Sequence, residues 1–187
     1  MDLDKLISGC IKKNPEARER LYYLYRDKLF SVCLKYCCSF EEAEDHLHDT
    51  FITIFEKIKT YKGKGSFEGW MKRIAIYKAI DKYKKRTDFE LATHKLSSLH
   101  DEVYMENESQ SIPIEVLMGL IQKLPNQYRL IFNLYELDGF PHKEISQIVG
   151  ISESTSKSNL FRSKLLLKQR ILEYISLQTL KKTDSGN

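Results

Sequence analysis

Nowhere in the 187 residues does an apolar run approach the roughly 20 residues that cross a bilayer as a helix. The first residues, Met1-Asp2-Leu3-Asp4, are acidic and lack the basic-then-apolar order of a secretory signal. No membrane insertion is expected, and the chain reads as cytoplasmic. There are four cysteines, Cys10, Cys33, Cys37 and Cys38, and no pair has the Cys-x-x-Cys spacing of a zinc knuckle or a thioredoxin-like site. Cys33 and Cys37 are four apart and share a helix face, so they read as small apolar core residues kept reduced. Internal repeats and strand-length alternation are missing too, which argues against solenoids and sheet folds.

What is present is charge, unevenly placed. Charged residues are 30% of the chain and hydrophobic ones 42%, an ordinary balance for a globular protein. Residues 1–88 carry 19 Lys and Arg against 14 Asp and Glu; residues 89–112 carry 1 against 5; residues 113–187 carry 10 against 7. Two basic blocks around an acidic stretch suggest two modules that touch a polyanion and a connector that does not.

Apolar spacing predicts helices almost throughout. A short one covers 2–13 and ends at Asn14-Pro15. Leu21, Leu24, Tyr25, Leu29, Val32 and Tyr36 stripe a helix over 16–37. Ala43, Leu47, Phe51, Ile54, Phe55 and Ile58 stripe another over 41–60, announced by a capping box in which Ser39 and Glu42 satisfy each other's amides. Gly63 and Gly65 break it, and Ser66 caps a helix running to about Arg86. Residues 89–112 read as a flexible acidic linker. A second unit begins near Pro113, with one helix through Leu124, one from Pro125 to Asp138-Gly139, one from Pro141 to Gly150, and one capped by Ser152 running to about Ile175. The end of the chain, 179–187, reads as a disordered tail.

Three segments carry candidate chemistry. PHKEISQIVGISESTSKSNLFRSK, 141–164, has a short helix, a tight turn at Gly150 and a Ser-capped second helix, the helix-turn-helix layout. Its second helix offers Thr155, Lys157, Ser158, Asn159, Phe161, Arg162 and Lys164, residue types that reach base edges and phosphates; a solvated hairpin face is the plainer alternative. YKGKGSFEGWMKRIAIYKAIDKYKKR, 61–86, sets Phe67, Trp70 and Tyr77 among Lys64, Arg73, Lys78 and Lys82, which suits melted or single-stranded nucleic acid. The plainer reading puts Phe67 and Trp70 in the core. EEAEDHLHDTFITIFE, 41–56, clusters acids with His46 and His48. These histidines are two apart and diverge on a helix, and no second His/Glu helix follows. An acidic protein-binding face is therefore expected rather than a metal or acid–base site.

In this order and separation, the three segments resemble the extracytoplasmic-function (ECF) sigma factors of the sigma-70 family, over about residues 15–88 and 113–172. The resemblance implies an all-α fold, with a region 2-like N-terminal bundle (1–88) and a region 4-like, four-helix, helix-turn-helix unit (113–178). It implies a promoter-recognition subunit of RNA polymerase, with no catalytic residues, metal or cofactor of its own. Asp45, His48, Asp49, Phe51 and Phe55 would face the polymerase clamp helices. Lys64, Ser66, Phe67, Trp70, Arg73, Tyr77, Lys78 and Lys82 would engage the melted -10 strand. Thr155, Lys157, Ser158, Asn159, Phe161, Arg162 and Lys164 would contact the -35 element. The linker would enter the polymerase's RNA path, the polymerase flap would be a second contact, and an anti-sigma factor is an expected partner. Several positions depart from the family pattern: His46 for an aliphatic, His48 for Gln, Tyr77 for Asn, and Ser154 and Ser156 for Gly and Val. A free-standing helix-turn-helix regulator, with the N-terminal bundle as sensor or dimeriser, is the alternative.

Overall fold

The computed structural model describes residues 2–90 and 112–184, all helices and short turns within those spans. The expected linker therefore lies almost wholly outside the described residues, and so does the proposed course of that linker through the polymerase. Four helices form the N-terminal bundle: α1 (Leu3–Ile11), α2 (Pro15–Tyr36), α3 (Phe40–Lys57) and α4 (Phe67–Glu90). Their starts are chemically fixed. Asn14 Oδ1 accepts from Ala17 N at 2.9 Å with Pro15 in the first helical turn. Ser39 Oγ accepts from Glu42 N at 3.1 Å, but the Glu42 carboxylate accepts from Cys38 N at 2.7 Å, one residue before the amide a standard capping box would use. Ser66 Oγ accepts from Gly69 N at 3.0 Å and starts α4. The interior is filled by Leu21, Leu29, Ile54, Met71 and Ile80, all fully buried.

The C-terminal unit comprises α5 (Ile114–Gln122), α6 (Asn126–Phe132), α7 (His142–Val149) and α8 (Glu153–Asp184), around buried Ile131, Leu134, Ile145 and Leu160. Two features differ from the sequence expectation. The helix expected to run on to Asp138 widens after α6 into a π-helical turn over Asn133–Leu137, closed by Asp138 N donating to Asn133 O at 3.0 Å. And α8 continues to Asp184, so most of the expected disordered tail is helical.

The π-helical turn faces the C-terminal end of α2. Helix ends leave carbonyls without partners, and here the other unit supplies donors. Gln122 Nε2 donates to Leu34 O at 3.1 Å, and Asn133 Nδ2 donates to Lys35 O. Asp138 accepts from Lys35 Nζ at 2.5 Å and from Tyr36 OH. Beside them the buried Arg129 guanidinium donates to Gln122 O at 2.7 Å and reaches Cys38 Sγ at 3.1 Å.

Candidate nucleic-acid and polymerase interfaces

The turn between α7 and α8 is built on Gly150, whose φ of 85° is left-handed and strains any residue with a Cβ. Ser152 Oγ accepts from Thr155 N at 3.0 Å and sets the start of α8. Ile145, Val149 and Leu160 are buried between the two helices. The outward side of α8 presents Lys157, Ser158, Phe161, Arg162 and Lys164, with Thr155 half-buried. Phe161 is 66% exposed, an uncommon state for a large aromatic with no packing role. Lys164 is paired with Glu136 of the π-helical turn at 2.6 Å. Asn159 must be corrected. It is only 5% exposed and belongs to the inward stripe with Ser156, Ser163 and Leu167, spaced three and four apart. Its Nδ2 has no partner among the described residues, so it is a packed residue and cannot reach a base edge without moving α8.

On α4 and the loop before it the expected -10 residues separate into four groups. Phe67 is 2% exposed, edge-on to Tyr25 and Tyr61 and stacked on Trp70 at 5.5 Å. Its assignment to the melted strand is corrected: it is a core residue, and Trp70 lies half-buried over it. Lys78 donates to Thr53 Oγ1 at 3.2 Å, and Lys82 is paired with Glu42 at 2.9 Å. Lys64, Arg73 and Tyr77 remain outward, Tyr77 being 39% exposed, and Ser66 is committed to the cap.

On α3, Asp45, His48 and Asp49 are exposed on one face. Phe51 is corrected: at 3% exposure it packs against Tyr22 and Phe55 beneath that face. Phe55 is half-buried with the Arg18 guanidinium over its ring at 5.2 Å. Ile52, 57% exposed, stands on the acidic face instead. Sequence reasoning passed over it because it sits in the apolar run Phe51–Phe55; the signal was its position one turn after His48. The two histidines diverge as expected. His48 is outward and stacks on Tyr22, whereas His46 is buried with Nε2 2.9 Å from Ala75 O. Burial pushes the His46 imidazole below its usual pKa, opposed by the Ala75 contact. Among the described residues no group of three His, Cys, Asp or Glu is placed to hold a metal, and no helix is long and apolar enough to cross a membrane.

This pairing of a helix-turn-helix with an acidic-faced bundle matches sigma-70 region 2 over residues 21–89 and sigma-70 region 4 over residues 114–167. The chain belongs to the sigma-70 family, in its ECF group. Among its relatives is the ECF RNA polymerase sigma factor SigW of Bacillus subtilis, 25% identical, with 91% of this chain and 97% of the relative aligned. SigM of the same organism is 29% identical over 80% of this chain and 92% of its own length. The fold is shared with the sigma factor RpoE of Bartonella quintana, solved in complex with the anti-sigma factor NepR, at 17% identity and a TM-score of 0.50 over 81% of this chain and 94% of that one. As a sigma factor the protein directs core RNA polymerase to promoters and to initiation. Sigma factors are DNA-binding regulators rather than catalysts. The free-standing regulator reading is not favoured, because the bundle it leaves as a sensor is region 2.

Proposed function

We propose that the three surfaces divide the work of initiation. The two working units are 1–88 and 113–178, joined by 89–112. The acidic face of α3, with Asp45, His48, Asp49 and Ile52, docks on the polymerase clamp helices. Lys64, Arg73, Tyr77 and the exposed edge of Trp70 hold the melted -10 strand, with stacking offsetting the few kcal/mol lost when a base leaves the duplex. Lys157, Ser158, Phe161 and Arg162 enter the -35 major groove, and the region 4-like unit also meets the polymerase flap. The carrying observation is the outward face of α8, where cations and an unpacked aromatic stand on a helix whose start is fixed by Ser152 and Gly150. Core polymerase and promoter DNA are the main partners. An anti-sigma factor is a further one, supported by the Bartonella quintana relative solved with NepR. The protein performs no chemistry, needs no cofactor or metal and works in the cytoplasm with the polymerase.

The test is run-off transcription of genomic DNA with reconstituted holoenzyme, beside a titration of core enzyme. Asp45→Arg with Asp49→Arg is expected to abolish core binding and transcription with the fold intact, because charge reversal on an exposed face costs complementarity and not packing. Tight binding of one duplex site by the chain alone at physiological salt would instead support the regulator.

A further inference from the structure

Among the described residues a side-chain hydrogen bond joins α7 to α8. His142 opens α7, and its Nδ1 lies 2.9 Å from Ser156 Oγ. Ser156 is fully buried. Its hydroxyl makes no other hydrogen bond among the described residues, and a buried hydroxyl proton needs an acceptor. The bond therefore runs from Ser156 O–H to Nδ1, which leaves the ring proton on Nε2. The ring plane is fixed independently. Tyr135, 37% exposed on the π-helical turn, stacks on His142 with centroids 4.3 Å apart and planes 19° apart. Burial and the Lys157 charge on α8 hold the imidazole below its ordinary pKa and so favour the neutral ring, with Glu153 acting the other way.

One serine thus sets the tautomer and one tyrosine sets the plane of a half-buried ring whose Nε2–H has no partner among the described residues. That degree of positioning is more than an ordinary surface histidine requires. The ring lies near enough to Lys157 to feel its charge, and in a helix-turn-helix the first helix crosses the DNA backbone while the second lies in the groove.

We propose that His142 is a positioning residue of the promoter interface: locked by Ser156 and Tyr135, it donates Nε2–H to a phosphate of the duplex read by α8 and ties that phosphate to the orientation of α8. The inference rests on the -35 reading proposed above for α8. It also gives the departure of Ser156 from the family's usual valine a role, since valine could not hold the tautomer. A hydrogen bond from a neutral ring would add affinity without releasing a counterion, unlike a lysine–phosphate pair.

Holoenzyme binding to promoter duplexes with varied -35 sequences, at two salt concentrations and neutral pH, tests this with His142→Phe, His142→Gln, Ser156→Val and, as reference, Arg162→Ala. His142→Phe keeps a ring on Tyr135 and removes the donor. It is expected to weaken all duplexes alike by about fivefold, the worth of one hydrogen bond, with an unchanged salt slope. His142→Gln restores a donor near Nε2 and is expected to recover most of the loss. Nitrogen-15 spectra of the full chain are expected to show the Nε2–H tautomer at His142, mixed with its alternative in Ser156→Val. Equal binding by His142→Phe and the unmodified protein, a Gln variant as weak as Phe, or a ring proton found on Nδ1 each overturn the proposal. Arg162→Ala separates this from failure of the α8 reading. If it leaves every -35 sequence unchanged, the groove assignment falls; if it alters preference while the His142 arms fail, only the present inference falls.

Discussion

The two units solve the same problem, holding in place a helix proposed to face DNA, by opposite means. In the N-terminal bundle the helix is held by its aromatics: Phe67 and Trp70 of α4 stack on one another and against Tyr61. In the C-terminal unit α8 turns Ser156, Asn159 and Ser163 inward and leaves Phe161 outside. The packed side is thus aromatic on α4, with Arg73 and Tyr77 left outward, and polar on α8, with an aromatic left outward. On either helix a substitution at an inward position is expected to change packing, and one at an outward position to change the proposed contacts alone.

The largest test of this contrast is Phe67→Ala. Emptying that site is expected to cost about 3–5 kcal/mol and to lower the melting temperature sharply, while Phe161→Ala should stay within about 0.5 kcal/mol of the unmodified protein. Thermal denaturation of both variants measures it, and comparable losses would erase the distinction. Next in size is Asp138→Ala, which leaves the largely buried Lys35 ammonium and the Tyr36 hydroxyl without their shared acceptor. A loss of about 1–3 kcal/mol is expected. If the two units unfold independently, chemical denaturation of this variant resolves two transitions; a single transition means they remain coupled.

A smaller effect is expected from pH. His46 is buried and its imidazole is held below the usual value of 6.5, mainly by desolvation. The unfolded chain then binds the proton more readily than the folded one, so stability is full above about 6.5 and falls as pH drops below it toward the folded value. His46→Leu, the residue class usual in the family, should flatten that acid limb, as read by melting temperature from pH 7 to pH 5. An unchanged limb would assign the acid sensitivity elsewhere. The smallest effects on stability belong to the outer face of α8, where the expected changes are in binding. Arg162→Ala is expected to relax preference at one -35 position by about 1–3 kcal/mol. Lys164→Ala should weaken all sequences slightly with a shallower salt slope, since its exposed pairing with Glu136 contributes little. Transcription from a randomised -35 library distinguishes them.

Much of this was legible from residue order. Asn14-Pro15, Ser39, Ser66, Ser152 and Gly150 mark helix ends through local chemistry, and each acts where expected. The errors are errors of rotation: neighbouring positions on a helix point about 100° apart, and a stripe edge cannot be fixed from spacing when the core side is polar or the outer side apolar. Asn159 reads as outward because asparagine usually is; Ile52 is missed because it sits inside an apolar run. Phe51 and Phe67 are assigned to partners through the family resemblance, and a shared pattern does not report which apolar positions are buried. The π-helical turn depends on Asn133 and Asp138 meeting α2, about a hundred residues earlier in the chain, and no local pattern encodes that.

The cysteines have a practical consequence for chemical labelling. Burial pushes the Cys33 and Cys37 thiols up to about 12 and raises Cys10 as well, so at neutral pH all three stay protonated and poorly nucleophilic. Cys38 alone of the four is exposed, with its sulfur beside Arg129 of the other unit. The unaltered chain therefore carries one addressable thiol, at the junction between its two halves. A fluorophore attached there reports on that junction without the cysteine-free background that such experiments ordinarily need.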